Sequence, residues 1–324
     1  MPQPFAWVPD VSRGAWLRRM ASEPFGSVLS VVPAGFEAYA RVFHPVERDR
    51  PRDTRTWHGI DHATHFADVQ DLGAAIENDR TTWATTAAAF GTTMHPEAQF
   101  ARLLGQDGGR PDDAIDPDGW RYFPPQDGSL DADSLSAVAT VLARHTTTPT
   151  AGIAAVWEGW GGLMHSSGRT QLVLTSSRSR QLALTARHAA ARVRDVVRNL
   201  LGAARRGSEP GTGLLPREIA TGPRFDLPAR SYVLFEAGAA DFADAGWTAR
   251  APWVDRPIWA QSPSIVWPDD HAWVLATEID FDSTLVAGTR ALVEELVHTP
   301  GVEALPLSPD ADLSWQGDAV NRPG

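Results

Sequence analysis

The sequence predicts an α+β fold: a mixed or largely antiparallel sheet flanked by helices, with an inserted basic helical arm. Three observations predict it. Stretches 38–44, 231–236 and 271–281 are rich in β-branched and aromatic residues and read as strands. Stretches 132–144 and 284–298 instead place apolar residues at i, i+3, i+4 and i+7, the spacing of a helix with one buried stripe. Stretch 176–207 carries eight arginines against one acid, Asp195. That is a charge of +7, which leaves −18 for the rest of a chain whose net charge is −11.

The 324 residues are 43% hydrophobic, enough for a sizeable core. There is no cysteine, which excludes disulfides, thiolate zinc sites, iron–sulfur clusters and a cysteine nucleophile. No apolar run is long enough to span a bilayer, and the start lacks a basic region followed by an apolar one. The expectation is a cytoplasmic protein with no membrane partner. Its acidic balance argues against nucleic acid as a partner, except through the arm 176–207. Docking of that arm on the acidic body is the other reading.

The chain divides into 1–162, the N-terminal part of the body; 163–225, the arm and its linker; and 226–324, the C-terminal part. In order, a short helical piece over 13–21 precedes two strands, 28–32 and 38–44. The second strand sets Tyr39, Arg41 and Phe43 against Ala40, Val42 and His44. Stretch 47–60 is charged and rich in Pro and Arg, hence a loop. Stretch 61–90 reads as helical, anchored by Leu72, Ile76, Trp83 and Phe90. His58, His62 and His65 fall at i, i+4 and i+7, so a helix would gather three imidazoles as metal candidates, although Gly59 weakens a helix there. Pro96 suits the first turn of a helix that continues over 98–104. Stretch 105–130 is a Gly/Asp/Pro loop with Trp120, Tyr122 and Phe123 holding it to the body. Asp131 caps the helix 132–144.

Stretch 153–157 is a strand, followed by Trp157-Glu158-Gly159-Trp160-Gly161-Gly162. This puts an acid beside aromatic planes at a strand end, where sites are often built. A helix over 186–206 places its arginines opposite an apolar stripe, and 208–222 is a linker. After the strand 231–236 comes a short helix, 239–246. A turn at 267–270 leads to the strand 271–281, which sets Glu278, Asp280 and Asp282 on one side. Three adjacent acids repel unless an arginine or a cation sits among them. Ser283 or Thr284 would cap the helix 284–298. A last strand follows, and then a polar surface strap, 310–324.

The segments Ala38-Tyr39-Ala40-Arg41-Val42-Phe43-His44-Pro45, Val156-Trp157-Glu158-Gly159-Trp160-Gly161, Ser231-Tyr232-Val233-Leu234-Phe235-Glu236 and 261–283 resemble a family of proteins from high-GC actinobacteria. The resemblance extends over about half of the chain. That family carries no assigned activity, so the resemblance implies no catalytic residue or cofactor. Stretches 46–80 and 163–225 are additions to its pattern.

No phosphate-binding glycine loop, nucleophile elbow or zincin helix is present. Two function classes follow. The favoured one is a binding or interaction protein, of an accessory or immunity-like kind. It would contact a protein or small-molecule ligand through a Trp-rich surface containing Trp157, Trp160 and Trp267; tryptophan accounts for 13 residues of the chain. The alternative is a carboxylate- or metal-dependent hydrolase that uses Glu158, Glu278, Asp280 and Asp282. No cofactor is evident, although a divalent metal would suit either the acids or the histidines.

Overall fold

The computed structural model describes residues 4–66, 71–106, 114–166, 209–228 and 230–322. The α+β class holds: two antiparallel sheets, of nine and four strands, are combined with helices. The predicted helix 186–206 lies outside the described residues.

The strands are β1 (Trp7–Val8), β2 (Ala38–Phe43), β3 (Val46–Pro51), β4 (Ile76–Thr81), β5 (Ala114–Ile115), β6 (Arg121–Phe123) and β7 (Gly152–Trp157). They continue with β8 (Phe225–Leu227), β9 (Arg230–Glu236), β10 (Ile265–Pro268), β11 (Val274–Ala276), β12 (Ser283–Gly288) and β13 (Ala304–Leu307). The large sheet runs β1-β9-β7-β10-β11-β12-β2-β13, with β8 also paired to β9. Strands β7 and β9 are direct neighbours although residues 158–229 separate them in sequence, and of those residues 225–227 form β8, paired to β9.

Both faces of this sheet are buried. Ala154, Val156, Val266, Leu275 and Val286 pack under the helices Ala132–Leu142 and Arg290–Val297. Ile153, Ala155, Ile265, Val274 and Leu285 pack on the other side, against Leu17, Val28, Val31 and Leu313. Burial on both sides explains why the central strands are apolar throughout instead of alternating.

The same burial corrects the reading of 271–298. Residues Ser283–Gly288 are fully buried strand, not the start of a helix. A short apolar run fits either period, and here the pairing of β12 between β11 and β2 decides. The helix begins at Arg290, and its cap is Thr289, whose side chain accepts from the Leu292 N–H, rather than Ser283 or Thr284. β11 lasts only three residues, after which the chain turns through 277–282.

The small sheet, β4-β3-β6-β5, overturns three expectations. The predicted loop 47–60 contains most of the central strand β3, the predicted helix 61–90 contains β4 between one-turn helices and the helix Trp83–Phe90, and the predicted loop 105–130 contains β5 and β6. Charge masked β3 and β4. Arg48 and Arg50 lie over Trp120 at 4.5 and 4.0 Å, and a buried Arg121–Asp49 pair at 2.8 Å joins β6 to β3. Paired arginines stack on its aromatic residues, beside buried apolar clusters that take in Val46, Tyr122 and Ile76. The strand forecast over 28–32 is a single 3-10 turn, Val28–Ser30, capped by Ser27. Asp131 caps its helix as expected, accepting from the Ser134 N–H.

Candidate functional site

Antiparallel register brings several chain segments to one end of the large sheet. Ala155 faces Ile265, Ile265 faces Ala276, Ala276 faces Leu285 and Leu285 faces Arg41. The ends of β7, β11 and β2 and the starts of β9, β10 and β12 therefore share an edge. Glu158, Arg230, Ser264, the 277–282 turn and His44 all collect there.

The rim of this edge is aromatic and charged. Trp157 and Trp160 are half-buried and meet edge to face, with ring centroids 5.5 Å apart. Gly159 between them permits the fold-back, since a Cβ there would stand 2.1 Å from the Trp157 ring. Glu158 accepts from Arg224 Nε at 2.8 Å. Arg224 also donates to the carbonyls of Ile219, Ala220 and Gly222, tying the end of the helix Arg217–Ala220 to the rim. Arg230 opens β9 and lies 5.9 Å from the Trp157 ring. It donates to Glu278 Oε1 at 2.7 Å and to Asp280 Oδ2 at 2.8 Å. Burial pulls the Arg230 pKa down, but the hydrogen bond and charge of Glu278, joined by the charge of Asp280, raise it overall.

The four candidate carboxylates do not form one cluster on a strand. Glu278 and Asp280 lie on the turn and share Arg230, while Glu158 is held separately by Arg224. Asp282 reaches inward to Arg41 NH2 at 3.4 Å. Burial pushes the Asp282 carboxyl up, against the pull of Arg41. Each acid thus has an arginine, the outcome that repulsion among adjacent acids demands.

Behind the rim lies a buried polar row that the sequence reading did not single out. Ser264, Thr277 and Thr284 face one another across β10, β11 and β12, and His44 ends the row; all are at most 3% exposed. His44 Nδ1 is 2.6 Å from the Gln126 carbonyl, which can only accept, so Nδ1 carries the hydrogen. Nε2 is 2.9 Å from Thr284 Oγ1, which is 2.7 Å from Thr277 Oγ1. Burial lowers the His44 pKa to about 4, so the imidazole is neutral at pH 7. The neutral ring fixes the direction of the chain: Thr277 donates to Thr284, Thr284 to Nε2, and Nδ1–H to Gln126. A signal for this row was present in the alternation of β2, which puts His44 on the same side as Ala40 and Val42.

The remaining candidates lie elsewhere. Trp267 is only 1% exposed, edge to face with Trp16 at 6.3 Å, and does not reach the rim. The helix expected to gather His58, His62 and His65 is a single turn, His62–His65, which leaves His58 outside it. His58 Nε2 donates to the Asp116 carbonyl at 2.9 Å, His62 stacks on Trp57 at 5.5 Å, and His65 lies 3.0 Å from Asp53. The three rings are thus turned to separate partners. Among the described residues, no group of three or more His, Asp or Glu side chains is placed to hold a metal ion. No described helix is long and apolar enough to cross a membrane. Comparison with protein-family models, with curated proteins and with solved structures finds no match to this chain.

Proposed function

We propose that the chain is a binding protein that contacts a protein partner through the rim formed by Trp157, Trp160 and Arg230. The observation that carries this reading is the half-exposed, edge-to-face tryptophan pair beside an arginine fixed by two carboxylates. Tryptophan and arginine are enriched among the few residues that carry most of the binding energy of protein interfaces. A clamped arginine is also pre-organised, which lowers the entropy cost of using it. The carboxylates support this reading better than catalysis: Glu158 is held by Arg224, and Glu278 and Asp280 converge on Arg230, which orients all three as anchors.

The test is capture of partners from the native lysate by the wild-type chain, by Trp157→Ala/Trp160→Ala and by Trp315→Ala, whose exposed tryptophan lies on the C-terminal strap. A partner kept by the wild type and Trp315→Ala, but weakened at least tenfold in the double variant, is the expected result. Equal capture by all three chains, with the double variant folded, would remove the rim as the binding surface.

A further inference from the structure

The charges of the rim are layered. Its two arginines are sunk into the protein, and the acids they hold stand outside them. The side chains of Arg224 and Arg230 are 14% and 19% exposed, against 39% and 63% for Glu158 and Asp280. Asp226 on β8 adds a further exposed acid. It accepts from Ser231 Oγ at 2.7 Å, and the Ser231 carbonyl takes the Glu158 N–H at 3.0 Å. Four acids, Glu158, Asp226, Glu278 and Asp280, thus stand against two arginines, a balance of −2. Among the described residues no donor reaches Glu158 Oε1, Asp226 Oδ2 or Asp280 Oδ1.

The aromatic half of the rim suits a cation as well. Arg230 shows the arrangement from within, with its guanidinium 5.9 Å from the Trp157 ring and 2.8 Å from Asp280. One cation is therefore already held between an aromatic face and a carboxylate. Trp160, half-buried and edge to face with Trp157, and the three unclaimed oxygens offer the same two kinds of contact to a second cation. An acidic group would meet like charge there. The apolar surface also continues past the acids. Their turn ends in Phe281, which meets the exposed Phe25 edge to face at 5.9 Å. That continuation fits an extended segment better than a free small cation. Outside 176–207 the chain carries −18, a field that draws a basic partner in and turns an acidic one away.

We propose that the rim recognises a basic segment of a partner protein, with lysine or arginine side chains lying on the Trp157–Trp160 pair and their charge on Glu158, Asp226 and Asp280. This assignment rests on the rim being the binding surface, and it adds the chemistry of what binds there.

The test is fluorescence anisotropy with two labelled dodecapeptides, one alternating arginine with glycine and the other glutamate with glycine, at about 50 and about 300 mM salt. The expected result is binding of the basic peptide alone, weaker at the higher salt. Trp157→Ala/Trp160→Ala and Asp226→Asn/Asp280→Asn should each weaken it about tenfold. Glu294→Gln/Asp310→Asn removes the same amount of charge from exposed sites on the C-terminal helix and strap, and should leave affinity within about twofold. Equal losses in the two acid variants would reduce the effect to net charge and overturn the proposal. Equal affinity for both peptides, or no binding of the basic one, would do the same. A chain with the eight arginines of 176–207 replaced by glutamine addresses the other occupant. If it binds the basic peptide and the wild type does not, the rim belongs to the chain's own arm and the partner assignment falls. Where the tryptophan variant does not fold, the comparison of the two acid variants decides. Capture from the lysate and this assay fail separately: a rim that keeps its lysate partner but binds both peptides alike keeps its role and loses only its preference for a basic segment.

Discussion

At the residue scale, the structure turns on arginines placed against acids, and among the described residues Arg41 is the most buried of them. Its Nε donates to Ser283 Oγ at 2.8 Å, and NH1 donates to the carbonyls of Pro96 and Ala98 at 3.0 and 2.8 Å. It also lies 4.8 Å from the Phe43 ring. Burial pulls its pKa down, and Asp282 pulls it back up. Replacement by methionine keeps most of the volume but leaves those acceptors and Asp282 without their cation. Arg41→Met should lower unfolding free energy in urea by about 3–5 kcal/mol, the usual cost of breaking one side of a buried pair. A loss below about 1 kcal/mol would mean that water replaces the guanidinium and that Arg41 is not an anchor.

At the element scale, the C-terminal helix shows how little separates the expected element from the observed one. The expected helix 284–298 and the observed Arg290–Val297 share their buried stripe of Leu292, Val293 and Leu296. They differ in where the helix begins, because Thr284 and Val286 are taken by the sheet. Thr289 adopts an extended backbone, with φ −72° and ψ 158°, and satisfies one free N–H of the first turn. Thr289→Ala should therefore cost about 1 kcal/mol in urea unfolding with an unchanged m-value. No change would place the working cap elsewhere. The strap after β13 is firmer than its composition suggests. Asp318 is fully buried and accepts from His95 Nε2 at 2.8 Å and the Gln99 N–H at 3.0 Å, so the tail is pinned to the body near its end.

At the scale of the whole molecule, pH acts on stability through distinct windows. His44 has a lowered pKa, so the unfolded chain binds a proton more readily than the native one between about 6.5 and 4. Its contribution is therefore complete above that window and is lost as pH falls through it. Asp270 works lower. Against the cost of burial, hydrogen bonds from Thr147 and Thr146 and from the Ala272 N–H hold its carboxyl at about 2. Stability from Asp270 is present above the ordinary carboxylate range and disappears as pH falls toward 2. Asp270→Asn should be less stable than wild type at pH 7, with a thermal midpoint several degrees lower, and the gap should narrow steadily from pH 5 to pH 3. A gap that stays constant over that range would show that the Asp270 charge plays no part in holding the 146–148 turn.

The sequence by itself determined the class of fold, the helix read over 132–144 with its Asp131 cap, the strands read over 38–44, 153–157 and 231–236, each matched to within two residues, and the clustering of Trp157, Glu158 and Trp160 at a strand end. Each of these rests on a local period or a local turn, which neighbouring residues carry in full. The resemblance to an actinobacterial family, the place of the chain in the cell and the arm 176–207 stand as expectations from sequence. Tertiary structure alone decided the rest. Strand β12 declared itself only once β11 and β2 lay on either side, because burial on both faces erases alternation. The small sheet read as loop and helix because it draws on arginine–aromatic and arginine–acid contacts such as those between residues 31 to 74 positions apart. The acids 278–282 suggested a cation site until Arg230 and Arg41 arrived from distant strands to neutralise them. His44 and Thr284 are 240 positions apart, so no local pattern could have joined them into the row that closes the sheet end.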